Sequence, residues 1–122
     1  MLVVDDNTDT LELIAFILKQ FQAQVTTTAS ASEALEAIAS FKPDILISDI
    51  GMPETDGYEL IARIRTLLSE RGGHMPAVAL TAFARDEERT LALKTGFQMH
   101  LSKPVQPAEL VAVVAHLAGR VQ

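Results

Sequence analysis

The chain has 122 residues, 48% hydrophobic and 21% charged, which suits one globular domain that buries roughly two-thirds of its unfolded surface and argues against disorder. Sixteen acidic side chains against ten basic ones leave a formal charge of −6, which gives no support to a nucleic-acid-binding surface, and the lack of cysteine excludes disulfides, thiolate nucleophiles and thiolate metal sites. No apolar run approaches the ~20 residues of a membrane-spanning helix, and Asp5-Asp6 close behind Met1 do not fit a secretory signal, so a soluble cytoplasmic domain is expected.

The first apolar run, Leu2-Val3-Val4, reads as a strand. A helix is expected from about Thr8 to Phe21, capped by Asn7 or Thr8, with Leu11, Ile14, Leu18 and Phe21 at the spacing of a buried stripe. The β-branched segment Gln24 to Thr28 reads as a second strand. Ser30-Ala31-Ser32-Glu33 is a capping-box signature, so a helix runs to about Phe41 with Leu35 and Ile38 inward. Pro43 stops it, Asp44 to Ser48 forms the third strand, and Tyr58 to Leu68 a third helix with Leu60, Ile61, Ile64 and Leu68 on its apolar face. After a Gly-rich loop from Ser69 to Pro76, Ala77 to Leu80 reads as a fourth strand ending at Thr81. A helix from about Arg85 to Thr95 then closes on Gly96. Met99 to Leu101 is a short fifth strand, and Pro107 fits the first turn of a last helix reaching about Ala118.

Five strands alternating with five helices, several strands being continuously apolar, predict an α/β fold: a doubly wound parallel sheet covered by helices on both faces. Ligands of such sheets bind outside the carboxyl ends of the strands. Those ends carry Asp5-Asp6, Asp49, Thr81 and, after the fifth strand, Lys103-Pro104; the second ends in the bland Thr28-Ala29.

Taken singly, each has an ordinary explanation: a helix cap, a loop carboxylate, a strand threonine, a solvated lysine. Together they would set three carboxylates side by side, which repel unless a cation intervenes. Hard carboxylate oxygens suit Mg²⁺, and a lysine and a hydroxyl beside that ion would cradle a phosphoryl group. An aspartate can itself accept that group as an acyl phosphate. No Walker-type loop and no GxGxxG is present, so ATP or dinucleotide binding by those routes is not expected.

Val3-Val4-Asp5-Asp6-Asn7, Ser48-Asp49-Ile50-Gly51-Met52-Pro53 with Asp56-Gly57, Leu80-Thr81-Ala82 and Leu101-Ser102-Lys103-Pro104 together resemble the receiver (CheY-like) domain of two-component response regulators, in order and over the whole chain. The resemblance implies a flavodoxin-like five-stranded sheet ordered 2-1-3-4-5. It implies Asp49 as phosphoacceptor, with Asp5, Asp6, Asp49 and the Gly51 backbone carbonyl holding Mg²⁺ (or Mn²⁺). Lys103 and Thr81 would contact the phosphoryl oxygens, and a cis Lys103-Pro104 bond would aim the ammonium inward. It further implies a phosphohistidine donor on a histidine kinase or histidine phosphotransfer protein, and a switch in which Thr81 moves with the residue three before the lysine. That residue is His100, where relatives more often carry tyrosine or phenylalanine. Such a domain catalyses only its own phosphorylation and dephosphorylation.

Gly51, two residues after the acceptor, also departs from the family, which often has a larger side chain there; Phe83 is expected to cover the gap. His74 and His116 read as surface residues. The rivals are an Asp-nucleophile phosphatase for small molecules, a pseudo-receiver that only binds partners, and an FMN carrier. They are disfavoured by the missing second aspartate after Asp49, by the intact acidic, threonine and lysine set, and by the lack of a Ser/Thr-rich phosphate loop. The whole of residues 1–122 is expected to be one receiver domain without an output domain. The abrupt apolar start and the segment from Gly96 to Leu110 suggest excision from a hybrid histidine kinase.

Overall fold

The computed structural model describes residues 1–21, 23–40, 43–50, 57–69, 75–81, 97 and 99–121. Five strands form one sheet: β1 (Leu2–Val4), β2 (Thr26–Thr28), β3 (Leu46–Asp49), β4 (Ala77–Thr81) and β5 (Met99–Ser102). All pairings are parallel and the order is β2-β1-β3-β4-β5, as expected. Among the described residues four helices accompany it: α1 (Thr8–Lys19), α2 (Ala31–Ser40), α3 (Gly57–Ser69) and α4 (Pro107–Val121). The helix expected over 85–95 lies outside the described residues. No helix among those described is long and apolar enough to cross a membrane.

Alternation along the strands sends neighbouring side chains to opposite faces of the sheet. Leu2, Val4, Leu46, Ala77 and Ala79 face α2 and α3, where Ala34, Ile38, Leu60, Ile61 and Ile64 close one core. Val3, Ile47, Val78, Leu80 and Leu101 face α1 and α4, where Ile14, Leu18, Leu110 and Leu117 close the other. The strands therefore read as unbroken apolar runs because both faces are covered.

Local capping fixes where the helices begin. Asn7 caps α1, its Oδ1 accepting from Thr10 N–H at 3.1 Å. At α2 the Glu33 N–H donates to Ser30 Oγ at 3.2 Å while Glu33 reaches back to accept from Ala29 N–H at 2.7 Å.

The helix ends depart from the sequence expectation. The first stops at Lys19, and Phe21 N–H turns back to Leu18 O, so Phe21 leaves the buried stripe and stands 61% exposed. Leu35 is half-buried and packs against the core as expected, beside the buried Ala34 and Ile38. β3 runs from Leu46 to Asp49 rather than from Asp44, although Ile45 O already accepts from Leu2 N–H at the sheet margin. The last helix continues past Gly119 to Val121.

Candidate functional site

Register is what assembles the site. Val4 pairs with Ser48, so Asp5, one residue beyond β1, comes level with Asp49 at the end of β3. Asp49 pairs with Leu80, placing Thr81 one step further on, and Thr81 pairs with Ser102, placing Lys103 next to it. The Lys103 N–H donates to Thr81 O at 2.8 Å, which carries the β4–β5 pairing one residue past β5. The Lys103-Pro104 peptide bond is cis.

At this edge the sheet buries polar groups: Asp5, Asp49 and Thr81 are 0%, 6% and 4% exposed. One carboxylate oxygen from each of Asp5, Asp6 and Asp49 lies within 4.8 Å of the others, Asp6 being the exposed member. Lys103 Nζ sits 2.9 Å from Asp5 Oδ2 and 3.3 Å from Asp49 Oδ2. Asp5 is held by its neighbour two residues on, because Asn7 N–H donates to Asp5 Oδ1 at 2.8 Å. Such an Asx turn sends the other oxygen, Oδ2, into the cluster.

Burial pushes the Asp5 carboxyl above the usual carboxylate range, and nearby Asp49 adds to the rise. The Asn7 N–H and Lys103 pull against both without cancelling them. For Lys103 burial alone would favour the neutral amine. The contacts to Asp5 and Asp49 outweigh it and hold the ammonium above the ordinary lysine value. The ammonium is thus firmly charged while the carboxylate beside it is expensive to ionise.

Among the described residues, three carboxylates facing one ammonium leave negative charge in excess. Asp5 Oδ2 is fully buried and, apart from its ion pair with Lys103, accepts no hydrogen bond. A hard divalent cation would repair both defects, so the donor set fits one.

The expected site residues Asp5, Asp6, Asp49, Thr81 and Lys103 are therefore all at one edge. His100 lies on β5, paired in register with Ala79 two residues before Thr81, and is partly exposed. His116 is exposed on α4. Gly51, His74 and Phe83 fall outside the described residues. Sequence inspection did not single out the Asp5–Asn7 turn, although an aspartate followed two residues later by a helix cap is its signal. It also did not pair Lys103 with Asp5, a contact between residues nearly the whole chain apart.

The family model of the response regulator receiver domain matches residues 1–115. The chain belongs to that family. This receiver domain is 48% identical over 114 residues to an uncharacterized 14.6 kDa protein of Leptolyngbya boryana, covering 93% of this chain and 86% of that protein. It is 36% identical to response regulator Rre1 of Synechocystis, across 100% of this chain but 52% of Rre1. It is 37% identical to the sensor histidine kinase GacS of Pseudomonas protegens, across 98% of this chain and 13% of that kinase. The receiver thus spans most of the first protein, about half of the second and a small part of the third.

Among solved structures it resembles chemotaxis protein CheY4 of Vibrio cholerae, with a TM-score of 0.88 and 26% identity over 95% of each chain. The receiver domain of Francisella response regulator 1452 superimposes with a TM-score of 0.88 and 27% identity, covering 99% of this chain and 97% of that one. The receiver family is a signalling family of two-component systems rather than a class of turnover enzymes.

Proposed function

We propose that Asp49 is the phosphoacceptor, taking a phosphoryl group from a phosphohistidine on a histidine kinase or histidine phosphotransfer protein. The observation that carries this reading is the convergence of Asp5, Asp6, Asp49 and Lys103 at one strand edge, where, among the described residues, three carboxylates share one ammonium and the buried Asp5 Oδ2 has Lys103 as its partner. Asp5, Asp6, Asp49 and the Gly51 carbonyl would hold one divalent cation, Mg²⁺ by preference, which when bound offsets charge on the phosphoryl oxygens.

The protein's own groups account for the rest. The Asp49 carboxylate attacks phosphorus in line; a P–O bond forms to Asp49 and the P–N bond to the donor imidazole breaks, the electron pair leaving with the ring. Lys103, already 3.3 Å from Asp49 Oδ2, stabilises the charge of the new oxygens. Water later cleaves the acyl phosphate, returning Asp49 as a carboxylate and releasing inorganic phosphate.

Thr81 supplies a hydroxyl that turns to a phosphoryl oxygen, and His100 on the neighbouring strand shifts with it, changing the surface that a partner or attached domain meets. A phosphohistidine-bearing protein is the donor and the switched surface the output. The GacS-like and Rre1-like relatives offer both arrangements, a receiver joined to a kinase and a receiver joined to a further segment.

Incubation with Mg²⁺ and acetyl phosphate, followed by intact-mass measurement, tests the proposal. One phosphoryl group per chain, labile to hydroxylamine and lost in Asp49→Ala, is expected. Steady turnover of a small phosphoester would instead make the chain a phosphatase, and no mass gain from any donor would make it a pseudo-receiver.

A further inference from the structure

Away from the acidic edge, α1 and the edge strand β2 bound an open groove of about 450 Å³. Leu11, Ala15 and Val25 line it, and Phe16 forms its outer wall, 63% exposed. An aromatic ring left this far in water forgoes most of the free energy its burial would release. Glu12 and Lys19 flank the groove on the same stripe of α1. They are seven residues apart, about 10 Å along the axis. Neither makes an ion pair among the described residues.

The pattern of this stripe points to its occupant. Positions 12 and 19 are symmetric about the point between Ala15 and Phe16. A second copy of α1 laid antiparallel across that point, on a two-fold axis, sets Glu12 against Lys19 of the other copy, and does so twice. The same operation sets each Phe16 on the Ala15 of the other copy, the large side chain over the small one. A parallel arrangement would instead oppose Glu12 to Glu12 and Lys19 to Lys19. An unlike partner needs no such internal symmetry, whereas an isologous contact requires it.

We propose that this chain self-associates through the α1 groove as an antiparallel, two-fold dimer with Phe16 at its centre and two Glu12–Lys19 pairs at its rim. The contact involves essentially one helix face and its groove, so the dimer is weak and salt-sensitive.

Sedimentation equilibrium of the 122-residue chain, from about 1 μM to about 1 mM at low salt, tests this. The wild type is expected to shift from monomer to dimer within that range. Glu12→Lys and Lys19→Glu, each alone, place like charges at both rim positions and are expected to weaken the dimer about tenfold or more. An equimolar mixture of those two variants regains both opposite-charge pairs and is expected to dimerise as the wild type does. Both substitutions are on exposed positions, so circular dichroism should match the wild type.

A wild type that stays monomeric throughout overturns the proposal. So does a dimer indifferent to the single substitutions, or a mixture that fails to recover. If the wild type is monomeric and Phe16→Ala instead slows phosphoryl transfer from a kinase, the groove is the donor's seat and self-association is wrong.

Discussion

Two stretches of the same sheet, a few ångströms apart, are buried to the same degree and built from opposite chemistry. In its middle lie Leu46, Ile47, Val78 and Ala79, all 0% exposed, packed between helices on both faces. At its carboxyl edge lie Asp5, Asp49 and Thr81, 0%, 6% and 4% exposed. The middle gains stability from every methylene removed from water. The edge gives stability up: it confines carboxylates beside one another, buries Asp5 Oδ2 with Lys103 as its partner, and, among the described residues, sets one ammonium against three carboxylates. Equal burial therefore does not mean equal contribution to the fold, and a domain can set a reactive edge directly onto a core that tolerates its cost.

Substitutions on the two sides should separate along this line, and the largest effect belongs to the edge. Asp49→Asn is expected to abolish acyl-phosphate formation from acetyl phosphate while leaving the far-ultraviolet circular dichroism unchanged; loss of the fold would break the division. Next is Ile47→Ala, in the middle of β3, which should destabilise by about 2–5 kcal/mol in urea titration, because it removes fully buried methylenes from a close-packed interior. A cost below about 1 kcal/mol would show that the core repacks freely there.

Lys103→Ala should slow phosphoryl transfer about 100-fold, the scale of removing one preorganised charge-stabilising group, and be read from the time course of mass gain. A rate within a factor of about three of wild type, less than 1 kcal/mol of barrier, would remove Lys103 from the reaction.

The smallest effect has the opposite sign. Because burial raises the Asp5 value in the folded state, the stabilising balance held below the ordinary carboxylate value of 3.8 is lost as pH rises through the folded value. Asp5→Asn avoids that loss while leaving Lys103 its contact with Asp49, so with cations chelated at pH 7 it should be more stable than wild type in urea titration. The advantage should shrink toward zero below about pH 3.8, where both side chains are neutral. A variant equally or less stable at pH 7 would mean that the Lys103 ion pair outweighs the burial cost.

How much of this was open to inspection of the sequence follows from the range of each signal. The strands, their parallel arrangement and the apolar faces of α1 and α3 rest on spacing within a dozen residues, and Leu11, Ile14, Leu60, Ile61 and Ile64 are buried as that spacing requires. Phe21 fits the same spacing but lies past the cap at Gln20, where the spacing no longer applies. The strand-end carboxylates were legible because topology alone sends all parallel strand ends to one edge.

Their partnership was not. Which oxygen Lys103 meets depends on a register set by three strand pairings, and no local pattern encodes it. Phe16 was silent for another reason. Helical spacing marks the side chains that face inward, and this ring faces out.

The backbone bond from Lys103 N–H to Thr81 O, 2.8 Å long, joins the two residues that would meet the phosphoryl group from either side. Hydroxyl and ammonium are in consequence mounted on a common crossbar. A displacement that draws one inward carries the base of the other, so they behave as one lever with two tips. Substitutions at Thr81 and Lys103 should then be epistatic: once one tip is cut off, removing the second costs less than it does in the intact domain.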